Sequence, residues 1–120
     1  MNTHNVYLLK ITYARKESKI EVVYKIGVTK FLDKRIKSFY RTDQPSKWAK
    51  CSEVTIKDIK LLAYIPFEDM NEAYSFEKRI LWYHRGIKYK GKHILPSGNS
   101  ELIKEQVTFP YFNGRTVYFN

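Results

Sequence analysis

The chain has 120 residues, enough for one domain (1–120) and too few for two, and its 22 basic residues against 12 acidic ones leave a net charge of +10. That excess attracts polyanions, nucleic acid first and an anionic membrane or acidic protein after it, while 43% hydrophobic and 16% aromatic residues describe a folded chain with an ordinary core. A single cysteine, Cys51, excludes an internal disulfide, three histidines offer no zinc cluster, no stretch nears the roughly 20 apolar residues of a membrane span, and Met1–Asn5 lacks a signal layout, so a cytoplasmic protein is expected.

Val6–Tyr13 reads as a strand with Tyr7, Leu9, Ile11 and Tyr13 on one face. Ile20–Val28 reads as a second, with Ile20, Val22, Tyr24, Ile26 and Val28 on one face and Glu21, Val23 and Lys25 on the other. The short polar connection between them predicts a hairpin. Gly27, near the end of the second strand, predicts a close backbone approach or a sharp exit. Leu32, Ile36, Phe39 and Tyr40 then recur at helical spacing, with Arg35 at the edge of their stripe.

Arg41–Glu53 reads as a basic loop around Pro45 and Trp48, and Ile59–Ile65 as a third strand ended by Pro66. Asp69, with Glu72 three residues on, predicts a capping box for a helix that runs to about Arg85 and stops at Gly86. Ala73, Phe76, Ile80, Leu81 and His84 form its apolar face, and Glu77 points with them. Burying an ionised carboxylate is costly unless it is paired or holds a metal, so Glu77 is a candidate site residue. Lys88–Lys92 is basic. Asn99 or Ser100 would cap a short helix to about Gln106, with Glu101 in its first turn complementing the dipole. The tail from Val107 to Asn120 would hold a strand or two.

These residues carry a resemblance. Val6-Tyr7-Leu8-Leu9, Tyr24-Lys25-Ile26-Gly27-Val28-Thr29, Arg35 eight residues after the glycine, and Glu77 on the following long helix resemble the GIY-YIG nuclease superfamily, and its phage and bacterial branch most. The likeness covers about Val6 to Ile103. It implies an α/β (α+β) fold with a small three-stranded antiparallel sheet flanked by helices. It also implies hydrolysis of DNA phosphodiester bonds with one Mg²⁺ or Mn²⁺. Residue by residue, Tyr7 matches the tyrosine of the first motif, Arg35 the family arginine and Glu77 the metal-binding glutamate. Lys25 stands where the second motif has tyrosine, with Tyr24 adjacent, and Asn99 is the counterpart for the family asparagine. The first motif's Gly-Ile is absent.

The roles that follow are chemical. Glu77 would hold the hard cation through oxygen. Arg35 would bind the scissile phosphate in bidentate fashion. Tyr7 and Lys25 would form the base system for the attacking water: a free phenol ionises near pH 10, and a lysine across the strand would help it. Tyr40, Arg41, Lys47, Trp48 and Lys50, then Lys88, Lys90 and Lys92, would line the DNA path with Arg35 and Asn99. The chain has no room for a separate DNA-recognition domain, so weak specificity, a homodimer or a separate recognition partner is expected. The runner-up is a non-catalytic nucleic-acid-binding module on the same fold, and a third reading is a basic protein-interaction domain.

Overall fold

A computed structural model describes residues 3–15, 19–40, 54–91, 94–95, 99–111 and 114–119. Strands β1 (His4–Arg15) and β2 (Ile20–Thr29) form the expected antiparallel hairpin, with Val6 opposite Val28, Tyr7 opposite Gly27 and Leu9 opposite Lys25. β3 (Val54–Phe67) pairs antiparallel with the other side of β1. It continues through Pro66, near a strand end where a missing N–H is tolerated.

Two further strands correct the three-stranded expectation. β4 (Leu102–Ile103) pairs with β2 and β5 (Val117–Tyr118) with β3, giving a five-stranded antiparallel sheet in the order β4-β2-β1-β3-β5. A two-residue strand is too short to show alternation, so neither was visible as a period. The helix expected up to Gln106 does not form either. Asn99–Glu101 make one 3₁₀ turn, and the chain then enters the sheet beside Tyr24 and Lys25. The Tyr89 amide donates to the Leu102 carbonyl at 2.9 Å and the Lys104 amide to the Ile87 carbonyl at 2.8 Å. These bonds use the backbone groups that a helix would have needed.

Helix α1 (Leu32–Ser38) covers one face of the sheet and α2 (Met70–Tyr83) contributes to the other. The Asp69 side chain caps α2 by accepting from the Asn71 amide at 2.9 Å. The His84 amide closes the last turn on the Ile80 carbonyl. Among the described residues no helix is long and apolar enough to cross a membrane.

With layers on both sides, β1 is buried on both faces, which is why its apolar run Val6–Leu9 does not alternate. Tyr7, Leu9, Ile11, Tyr13 and Val23 pack with Leu32, Ile36 and Phe39 on the α1 side. Val6, Leu8 and Ile26 pack with Ala73, Phe76 and Ile80 on the α2 side. β3 changes faces part-way. Between Leu8 and Leu9 the β1–β3 register slips at Leu62, a bulge. Ile59 and Leu61 therefore join the α1 layer, whereas Ala63, Ile65 and Phe67 join the α2 layer, although their spacing reads as one face.

Candidate active site

The glycine in β2 makes room for a ring. A Cβ at Gly27 would overlap the Tyr7 hydroxyl and ring, so Tyr7 lies across the backbone of the opposite strand. Tyr7 is 1% exposed, and the Arg35 side chain lies close enough to its hydroxyl to stabilise the phenolate by hydrogen bonding and charge. Arg35 comes from α1, the element that immediately follows β2, so the strand–glycine–helix junction places the two groups together. Burial pushes the Tyr7 phenol up to about 12, against the opposing hydrogen bond and charge of Arg35.

Lys25 lies two residues before Gly27 on the same strand face. Its direct cross-strand partner is Leu9, so it sits diagonal to Tyr7 and not opposite. It is 0% exposed. The buried Phe39 ring lies between the two cations, 5.7 Å from Lys25 Nζ and 4.7 Å from the Arg35 guanidinium. Burial holds the Lys25 ammonium below its ordinary value, and Arg35 adds to that, while Glu101 opposes it.

Glu101 is the residue that the sequence reading missed as a site group. Its Oε1 lies 3.2 Å from Lys25 Nζ, and its carboxyl is close enough to that of Glu77 for the two to share a proton. Two carboxyls joined in this way need a proton between them. Burial pushes Glu77 up to about 8, helped by the Glu101 hydrogen bond and charge, so Glu77 carries the proton. Burial also raises Glu101, but its bond from Glu77 and the charges of Lys25 and Arg35 outweigh it and keep it ionised below the usual carboxylate range. The 3₁₀ turn and β4 hold Glu101 at the β2 edge, where it connects Lys25 of one layer to Glu77 of the other. Nothing in the sequence pointed to it, because Lys25 stood on the strand face opposite the apolar one and its need for a carboxylate counter-charge appears only once the fold buries it.

The divalent cation implied by the motif resemblance has a fitting donor. Glu77 is 5% exposed, and its Oε2 has no hydrogen-bond partner among the described residues. Buried polar atoms are seldom left so, and an oxygen in that position fits a ligand for a hard cation. Glu77 would hold the ion with Glu101 beside it. Among the described residues no cluster of three or more His, Cys, Asp or Glu is present, so water and phosphate oxygens would complete the shell.

The Tyr7 hydroxyl thus lies within electrostatic reach of Arg35, Glu101 and Glu77, and Lys25 within reach of Glu101, Arg35 and Glu77. An open recess of about 230 Å³, lined by Thr29, Phe31, Lys34, Arg35 and Ser38, gives access from the Arg35 side. A larger recess of about 400 Å³, lined by Leu8, Leu62 and Phe109 among others, carries none of the four. Tyr40, Lys88 and Lys90 are exposed, and Asn99 opens the 3₁₀ turn that ends at Glu101. Arg41, Lys47, Trp48, Lys50 and Lys92 lie outside the described residues. Comparison of the chain with protein-family models, curated proteins and solved structures gives no match.

Proposed function

We propose that this protein is a metal-dependent endonuclease that hydrolyses DNA phosphodiester bonds in the manner of the GIY-YIG nucleases its motifs resemble. The observation that carries the reading is convergence. Tyr7 with Arg35, and Lys25 with Glu101 and Glu77, form two neighbouring groups drawn from two strands, two helices and a 3₁₀ turn, and each group feels the charges of the other. Surface charge supports it, because a polyanionic substrate suits a net charge of +10.

Arg35 would bind a non-bridging phosphate oxygen and hold the phosphorus against the Tyr7 hydroxyl. The attacking water would give its proton to the Tyr7–Lys25 pair. Of the two, Lys25 is the better candidate, because burial favours the neutral amine that can accept a proton while it disfavours the Tyr7 phenolate. Glu77 must shed its own proton to act as an oxygen ligand. A divalent cation held there supplies charge stabilisation to the phosphate and leaving oxygen.

The test is plasmid cleavage with Mg²⁺ or Mn²⁺ by the wild type beside Glu77→Ala. Nicking or linearisation by the wild type and its loss in the variant supports the nuclease. The second reading, a non-catalytic nucleic-acid-binding module, is favoured by the Lys25–Glu101 ion pair, which occupies the proposed base. Tight, salt-sensitive binding with no cleavage would select it, and no binding at low salt would remove both readings.

A further inference from the structure

One end of α2 carries chemistry that the proposed site does not use. No aspartate or glutamate stands between Glu77 and Glu101, whereas Lys78, Arg79, Arg85 and Lys88 fall in that stretch, and all four are exposed. Among them stand two aromatic side chains left in solvent, Trp82 at 63% and Tyr83 at 75%. Exposed aromatics of this size, flanked along the chain by cations alone, suit a binding surface for an anionic partner.

The arrangement is ordered. The Arg85 guanidinium stacks on the Trp82 ring at 3.9 Å from its centroid, and Arg85 Nη1 donates to the Trp82 carbonyl at 2.9 Å. The indole therefore presents a supported ring whose remaining surface is open, with a cation fixed beside it. The Tyr83 ring is braced edge-on by His84, with centroids 5.4 Å apart. A rise of ~1.5 Å per residue puts Trp82 about 8 Å along the helix axis from Glu77, on the outward side of the helix that carries Glu77 inward.

We infer that this end of α2 is a stacking platform for unpaired nucleobases, so that the protein engages single-stranded nucleic acid, or a duplex with an unpaired segment, next to its active site. The inference rests on the nucleic-acid reading above and deepens it to a substrate class. Every base offers a flat face to Trp82 and Tyr83, and the backbone that joins the bases offers phosphates to the cations. A second copy of the chain is disfavoured as the occupant, since an isologous contact would set the four cations against their own images. Duplex DNA keeps its bases stacked internally and would use the cations alone.

The experiment measures binding in EDTA, where no cutting interferes, of a labelled oligo(dT) and of a duplex of equal length. Wild type, Trp82→Ala, Trp82→Phe and Tyr83→Ala are compared by fluorescence anisotropy, with circular dichroism as the folding control. Trp82→Ala should weaken single-strand binding about tenfold and duplex binding less than twofold. Trp82→Phe, which keeps a ring, should stay within about threefold of wild type. Equal weakening of both ligands, or of neither, overturns the platform. So does Trp82-dependent binding to phosphatidylserine vesicles without Trp82-dependent binding to oligo(dT), or a change from dimer to monomer on Trp82→Ala. Failure here is separable from failure of the nuclease reading. A protein that grips single strands through Trp82 and never cuts plasmid keeps the platform and loses the nuclease, and one that cuts while ignoring Trp82 does the reverse.

Discussion

Helix α2 turns Glu77 into the protein and, from Lys78 to Arg85, turns cations and aromatics out of it, and the two sides handle charge in opposite ways. Inside, every ionisable group leans on another: Glu77 on Glu101, Glu101 on Lys25, Tyr7 on Arg35. Outside, like charges stand together without an acid among them. Buried charges must be neutralised by partners or by protons, while exposed ones are screened by water and salt. The inner group should therefore respond to pH and to loss of a partner. The outer group should respond to salt and to an arriving polyanion.

Removing one partner inside has the largest expected effect. Glu101→Ala leaves the Lys25 ammonium, 0% exposed, without its 3.2 Å counter-charge. Urea unfolding should show a loss of about 3 kcal/mol, the low end for a broken buried pair because Glu101 keeps some solvent contact. A loss below ~1 kcal/mol would mean that Lys25 is not held by Glu101. Gly27→Ala comes next. Its Cβ would drive the Tyr7 ring off the β2 backbone, destabilising the fold by about 1–3 kcal/mol and separating Tyr7 from Arg35. Cleavage should fall further than stability alone accounts for, and full activity in a folded Gly27→Ala variant would remove Tyr7 from the site.

Which inner groups were legible in the sequence follows from how each advertised itself. Gly27 in a strand and Glu77 in an apolar stripe are each the wrong residue for plain packing, and each lies in the candidate site, whereas Lys25 sat with Glu21 on the face opposite the apolar one and stood out only through the motif it belongs to. Glu101 looked like an ordinary first-turn acid, because its partners are 76 residues away along the chain in one case and on another layer in the other. β4 is likewise a consequence of tertiary pairing with β2 and the Ile87–Tyr89 segment, with no period of its own. The face change in β3 hides behind an unbroken apolar alternation, because a bulge shifts register without changing composition.

The proton on Glu77 gives a test of intermediate size. Its folded value of about 8 lies above the ordinary 4.5, so the folded state binds the extra proton between those two values. The stability slope with pH follows protons bound in the unfolded state minus those bound in the folded state, which is negative here. Wild-type stability from this group is fully present below pH 4.5 and is lost as pH rises through about 8. Glu77→Gln keeps the shape and cannot ionise, so its melting temperature should gain on the wild type steadily across that window. Lys25 and Glu101 are common to both proteins and cancel to first order. A difference that stays flat from pH 5 to 8 would show that Glu77 is ionised in the folded protein.

The outer side should give the smallest change in stability and a clear change in binding. Lys78 and Arg79 are exposed, so neutralising them as Lys78→Gln with Arg79→Gln should move the unfolding free energy by less than about 0.5 kcal/mol. Each cation that touches a phosphate releases a counterion on binding, so the pair should lower the slope of log affinity against log salt on single strands by up to about 1.4. The inner variants change no cation on the approach surface and should leave that slope alone. An unchanged slope in the Lys78/Arg79 variant would mean that this end of α2 meets no phosphate, and the contrast between a pH-sensitive interior and a salt-sensitive exterior would then have to be drawn from some other surface of the protein.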